Sequence, residues 1–198
     1  KNPDVIRSFK NPVHSRGGIA VLKGNVAPDG AVTKPSAIPE STLLFRGPAK
    51  IYESEQDALS GIRAKQVHGG EVVVIRNEGP KGGPGMPEMY KVMKVLVGMN
   101  LGSKVCVITD GRFSGSNNGC FVGHICPEAL DDGPIAYLQD GDVITVDVLN
   151  GTIEAEVDFD LRRKEKTRKE VEPVKGCLYQ YRKNHPTASK GAYIATRN

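Results

Sequence analysis

From Glu71 to Gly119 the chain runs strand, glycine-rich loop, helix, strand, glycine-rich loop, and no other stretch restricts its fold as tightly. Glu71-Val72-Val73-Val74-Ile75-Arg76 is a continuous β-branched run bounded by glycines, the pattern of a strand covered on both faces. The loop EGPKGGPGMPE (Glu78–Glu88) follows. Pro87 suits a first helical position, because its ring presets φ and its missing N–H is not needed there. Met89, Val92, Met93 and Leu96 then fall at the spacing of a buried helical stripe, and Gly98 and Gly102 end the helix. Val105-Cys106-Val107-Ile108-Thr109 reads as a second buried strand, closed by a turn at Asp110-Gly111. A strand-helix-strand unit of this length is a right-handed crossover between parallel strands, which puts both loops on one edge of the sheet. Glu88, in the first helical turn, and Ser114, in the second loop TDGRFSGSNNG (Thr109–Gly119), are therefore expected to face one crevice, the usual ligand position in open α/β sheets. The helix N-terminus favours the ionised form of such a carboxylate.

At 198 residues the chain can fill one core, so residues 1–198 are read as one domain, with the polar, proline-broken residues 1–15 as an arm or a linker from something upstream. A formal charge of +4, with acids and bases locally matched and no aromatic-basic platform, argues against nucleic acid as a partner. No apolar run nears the roughly 18 residues of a membrane span, and the opening KNPDVIRSFKNPVH lacks the layout of a secretion signal. Cys106, Cys120, Cys126 and Cys177 form no C-x-x-C pair and no common zinc spacing. They read as reduced structural thiols, which points to the cytoplasm or an organelle matrix.

Elsewhere, Gly18–Gly24 and Ala31–Lys34 read as partner strands around a turn-rich loop, and Leu43–Tyr52 as one or two strands. Ser54 is a helix N-cap with Asp57 three residues on, and Ala58, Leu59 and Ile62 give that helix a packed face out to about Lys65. Pro134–Leu138 reads as a short strand. Val143–Val148 and Thr152–Val157 form a hairpin about Asn150-Gly151. Asp160–Lys169 reads as a solvated surface helix, and Cys177–Tyr181 as a helical turn docked on the body. The sum is a strand-rich mixed α/β fold with a barrel-like sheet and a few helices.

Neither loop is a P-loop and the dinucleotide fingerprint is missing. The loops offer backbone that can approach a small ligand, with Glu88, Asp110, Arg112, Ser114, Ser116 and His124 around it. Most have a plainer reading: Ser114 as a turn hydroxyl, Glu88 as a favourable first-turn carboxylate, His124 as a satisfied structural histidine, Arg112 as the partner of Asp110. For Ser114 to act as base or nucleophile its pKa must be lowered, and with no neighbouring histidine guaranteed, a cation or metal is required.

The strings LKGNVAPDGAVTK, NEGPKGGPGMPEM, ITDGRFSGSNNG and VGHICPEALDDGPIAYLQDGDVI, in this order, closely resemble the carboxyl-terminal part of the dihydroxy-acid dehydratase and sugar-acid dehydratase family, from about Gly18 to about Tyr181. The resemblance implies a swivelling β/β/α domain, a barrel-like mixed sheet flanked by helices. It implies a hydro-lyase that removes water from a 2,3-dihydroxy acid to give an enol and then a 2-keto acid. It also implies Mg²⁺ on the substrate's carboxylate and 2-hydroxyl, and an iron–sulfur cluster, [2Fe–2S] or [4Fe–4S], as Lewis acid on the leaving 3-hydroxyl. Glu88, in PGMPEM, matches a magnesium ligand. Ser114, in GRFSG, matches the alkoxide that takes the C2 proton, with Arg112, Gly115 and Ser116 beside the substrate. No cysteine here matches a cluster ligand.

The cluster cysteines and remaining magnesium ligands belong to an amino-terminal domain in this family. That domain is the expected partner, along with a small dihydroxy acid and further copies of the full enzyme in a homodimer or higher homo-oligomer, and the chain alone is expected to be inactive. The leading expectation is the enzyme of branched-chain amino-acid biosynthesis. The stretch Ser114–Cys120 departs from the GRFSGGTRG-like form of that enzyme, so an aldonic-acid dehydratase is the alternative. A non-catalytic ligand-binding or interaction domain is the competitor of another class.

Overall fold

Eight strands make one sheet: β1 (Ala20–Leu22), β2 (Gly30–Thr33), β3 (Leu44–Tyr52), β4 (Val72–Ile75), β5 (Cys106–Thr109), β6 (Cys120–Cys126), β7 (Val143–Asp147) and β8 (Thr152–Ala155). Their order is β1-β2-β6-β5-β4-β3-β7-β8. β3, β4, β5 and β6 run parallel, and the flanking pairs are antiparallel. The helices are α1 (Glu55–Arg63), α2 (Tyr90–Gly98), α3 (Phe159–Lys164) and α4 (Gly176–Asn184). The computed structural model describes residues 2, 4–13, 17–114, 119–165, 171 and 173–193.

The two outer strands meet. Lys23 N–H donates to Gly151 O, and Ile153 N–H to Lys23 O, each at 2.9 Å. The Asn25 side chain accepts from Ala155 N–H at 2.8 Å and donates to Ala155 O at 2.7 Å. The sheet is thereby drawn into a nearly closed, barrel-like form.

Alternation along the central strands divides the apolar residues between two cores. Val72, Val74, Cys106, Ile108, Cys120 and Val122 point into the barrel, where Leu22, Ile135, Ile144 and Ile153 join them. Val73, Ile75, Val107 and Phe121 point outward and are covered by Leu59 and Ile62 of α1 and Val92, Met93 and Leu96 of α2. Burial on both faces is why β4 and β5 read as unbroken apolar runs, each large side chain contributing roughly 1.5–3 kcal/mol. Ser54 Oγ caps α1 by accepting from Asp57 N–H at 3.1 Å.

Leu44–Tyr52, read as one or two strands, is one, its first half paired with β7 and its second half with β4. Other expectations are corrected. Pro134–Tyr137 is a 3₁₀ helix, not a strand, with Pro134 at its start. The Arg76 guanidinium gathers the carbonyls of Ile135, Ala136 and Leu138, a convergence that an extended strand does not present. α3 stops at Lys164 and is not simply solvated: Phe159 is buried, and Arg162 makes a double ion pair with Asp142 at 2.5 and 2.7 Å. Residues 166–169 of the expected helix lie outside the described residues.

Candidate active site

Both glycine-rich loops leave the carboxyl ends of parallel strands, and the structure joins them backbone to backbone. Glu88 and Arg112 form a β-bridge, and Met89 N–H donates to Arg112 O at 3.2 Å. The bridge corrects the expected helix start. Residue 88 is held extended, Met89 is the N-cap, and α2 begins at Tyr90 with no acid in its first turn, so Pro87 and Glu88 both lie before the helix. What fixes Glu88 is instead the second loop, because its Oε1 accepts the backbone N–H of Ser114 at 2.9 Å. Arg112 does not pair with Asp110; its Nε donates to Met86 O at 2.6 Å. Of the five expected site residues, Glu88, Arg112 and Ser114 thus come together, while Gly115 and Ser116 lie outside the described residues.

Two buried carboxylates set the shape of this edge. Asp110, fully buried, accepts from Asn77 N–H (3.1 Å), Glu78 N–H (2.9 Å) and Ala129 N–H (2.9 Å). Glu128, 1% exposed, accepts from Lys81 N–H (3.0 and 3.1 Å) and Gly82 N–H (2.8 Å). The Lys81 ammonium pairs with Asp131, and Arg182 of α4 donates to Lys81 O (2.7 Å) and Gly82 O (3.1 Å). Glycines in both loops make room for these acidic side chains: a Cβ on Gly79 of the first loop would lie 2.5 Å from Glu128 Oε2, and one on Gly111 of the second 2.8 Å from Glu78 Cβ. Asp110 was a candidate in the sequence. Glu128 was not, and no local pattern in the sequence marks it.

Burial pushes the carboxyls of Asp110 and Glu78 up from their ordinary values, against the backbone N–H groups that favour their charged forms. Burial likewise raises Glu128 to about 7, with the N–H bonds from Gly82 and Lys81 opposing and the charges of Asp110 and Asp131 adding. Between pH 4.5 and about 7 the folded chain thus holds a proton at Glu128 that the unfolded chain has released. Stability from this group falls as pH rises through that window and levels off above it, by roughly 3 kcal/mol in all. The midpoint of urea unfolding is expected to drop between pH 5 and pH 8, and to drop less in Glu128→Gln; equal drops would assign the slope to other groups.

A cavity of about 170 Å³ opens beside Ser114, lined by Val32, Thr33, Lys34, Phe113, Ser114 and His124 among others. Phe113 is held there edge-to-face against Phe121, ring centres 5.2 Å apart. Burial, and then the Arg112 charge, hold the His124 imidazole below its ordinary pKa, so it is neutral near pH 7.

Glu88 fits a Mg²⁺ site as one ligand. It offers a hard carboxylate oxygen next to the Ser114 backbone, and Mg²⁺ is commonly held by one or two carboxylates with water and substrate completing its shell. Among the described residues no group of three His, Cys, Asp or Glu side chains is arranged to hold a metal ion. The cysteines do not fit an iron–sulfur cluster, which takes several converging thiolates. Cys106 and Cys120 lie inside the barrel with sulfurs 2.9 Å apart, burial and then Cys120 push the Cys106 thiol well up, and Cys126 packs against Thr187. No helix among the described residues is long and apolar enough to cross a membrane.

Residues 4–192 match the family described as dihydroxy-acid/6-phosphogluconate dehydratase, C-terminal. The dihydroxy-acid dehydratase of Methanococcoides burtonii is 48% identical over 193 residues, 96% of this chain and 35% of the relative. Those of Acetivibrio thermocellus and Methanoregula boonei are each 46% identical, over 98% of this chain and 36% of the relative. The chain spans about a third of the length of these curated relatives.

Proposed function

The chain belongs to the dihydroxy-acid/6-phosphogluconate dehydratase family, in its C-terminal part, and from that premise we propose that it is the carboxyl-terminal portion of a hydro-lyase converting a 2,3-dihydroxy acid to a 2-keto acid. The observation that carries the reading is the 2.9 Å bond from Ser114 N–H to Glu88 Oε1, which sets a hydroxyl and a carboxylate from two loops at one place. In this reading Ser114 Oγ takes the C2 proton as the C3 hydroxyl departs, and the enol so formed tautomerises to the ketone. Glu88 would be the chain's ligand to Mg²⁺, which when bound supplies the positive charge that lowers a hydroxyl's pKa. Arg112, Gly115 and Ser116 are the proposed substrate-binding residues.

Departure of the C3 hydroxyl is left to polypeptide outside this chain, where an iron–sulfur cluster would belong, because the cysteines here do not fit one. The amino-terminal domain is accordingly the proposed partner, in a homodimer or higher homo-oligomer in the cytoplasm or an organelle matrix, and the chain by itself is proposed to be inactive. Branched-chain amino-acid biosynthesis is the proposed setting, supported by relatives that carry the name dihydroxy-acid dehydratase. An aldonic acid is the second substrate class, favoured by the departing stretch Ser114–Cys120.

The test is a full-length parent assayed on 2,3-dihydroxyisovalerate and a panel of aldonates. Ser114→Ala is expected to lower kcat by about a hundredfold or more with the cluster spectrum intact, the scale of a lost general base. Retained turnover would refute that role for Ser114.

A further inference from the structure

The β2–β6 ladder pairs Gly30 with Cys126 and Val32 with Gly123, so two steps along β2 match three along β6. A β-bulge of this kind sits often beside active sites, because the extra residue turns a side chain to the other face. Here the reversal can be followed residue by residue. Cys120 and Val122 face the barrel interior and Phe121 faces the helices. Continued alternation would send His124 inward, yet it is Ile125 that occupies the interior. His124 takes up the difference with φ +56°, its N–H donating to Gly111 O at 2.8 Å, and it lines the same cavity as Ser114.

We propose that His124 is a substrate-contacting residue of the Ser114 site, aimed there by the bulge to hydrogen-bond a hydroxyl or carboxylate of a small hydroxy acid. Glycine adopts this backbone conformation without strain, and glycines are plentiful in the neighbouring loops, so a side chain kept here at a conformational cost has a use beyond the turn. A neutral imidazole carries both a donor and an acceptor, which suits a hydroxyl, and the cavity of about 170 Å³ has room for a small molecule.

The proposal rests on the dehydratase reading, so its test joins turnover to a binding measurement. In the full-length enzyme, His124→Gly relieves the backbone and is expected to keep or raise Tm while kcat/KM for 2,3-dihydroxyisovalerate falls about tenfold or more. His124→Asn, which tolerates the same conformation and keeps a donor and an acceptor, should recover part of that loss. An unchanged kcat/KM in His124→Gly, or a loss that His124→Asn does not lessen, would overturn the assignment. Calorimetry with 2-hydroxyisovalerate, which has no 3-hydroxyl to lose, is expected to show binding to wild type that weakens about tenfold in His124→Gly. Equal affinity, or no binding to wild type, overturns it too. Weakened binding in an enzyme with no dehydratase turnover would uphold His124 and sink the reading of the reaction.

Discussion

Asp110→Ala is expected to cost about 4 kcal/mol of stability, because it strands three backbone donors at once, that of Ala129 buried and those of Asn77 and Glu78 half-buried. The carboxylate accepts from Asn77, Glu78 and Ala129, and the residue is fully buried. An unsatisfied buried group costs about 1–3 kcal/mol, and water entering the vacated space recovers part of the sum. Asp110→Asn should lose about half as much, since one oxygen is kept while the amide turns its own donors toward an N–H. The loss is local before it is global: amide exchange at Asn77, Glu78 and Ala129 should quicken by a larger factor than exchange in β8. Uniform quickening would mean that Asp110 serves the core at large and not the loops. Function would follow, because the same carboxylate holds the start of the loop carrying Glu88 to the strand end that leads to Ser114.

The second large effect is expected at Glu53, on the far side of β4. Arg76 is 5% exposed, and its guanidinium pairs with Glu53 through Nε at 2.9 Å and Nη2 at 2.6 Å while Nη1 donates to Ile135, Ala136 and Leu138 carbonyls. Glu53→Ala leaves that cation buried without its counter-charge, at a cost of about 3–5 kcal/mol. Removing both charges in Glu53→Leu/Arg76→Met should cost less than either single change, apart from the three carbonyls left behind. A double-mutant cycle of urea unfolding checks this, and strictly additive losses would show that the pair is not coupled.

What the sequence disclosed was what neighbouring residues decide. The β-branched run at 72–75, the Ser54 cap and the Asn150-Gly151 hairpin are local patterns, and each lies where it was expected. The crossover topology was enough to bring Glu88 and Ser114 together. It did not give the manner of their meeting, since a bridge between residues 24 positions apart pulled Glu88 out of the helix that its spacing suggested. Pro134–Tyr137 read as a strand because its apolar run is short, and the distant Arg76 was invisible to that reading. His124 kept two readings for the same reason, as a one-residue slip in ladder register leaves no trace in composition. Glu128 acts on residues 46 and 47 positions away, so its part could not be read from its neighbours.

The seam that closes the barrel has a bearing on how the chain reaches this state. Asn25 meets Glu154 and Ala155 across sequence separations of 129 and 130, whereas Val72 pairs with Cys106 and Cys106 with Cys120 across separations of 34 and 14. Loop-closure entropy sets itself against distant pairings, and chains dominated by them fold slowly. The parallel centre, with α1 and α2 packed on it, joins residues nearer in sequence and is expected to form first. The edge strands are then expected to pair last, leaving β1 and β8 each with an open edge to other chains until they do.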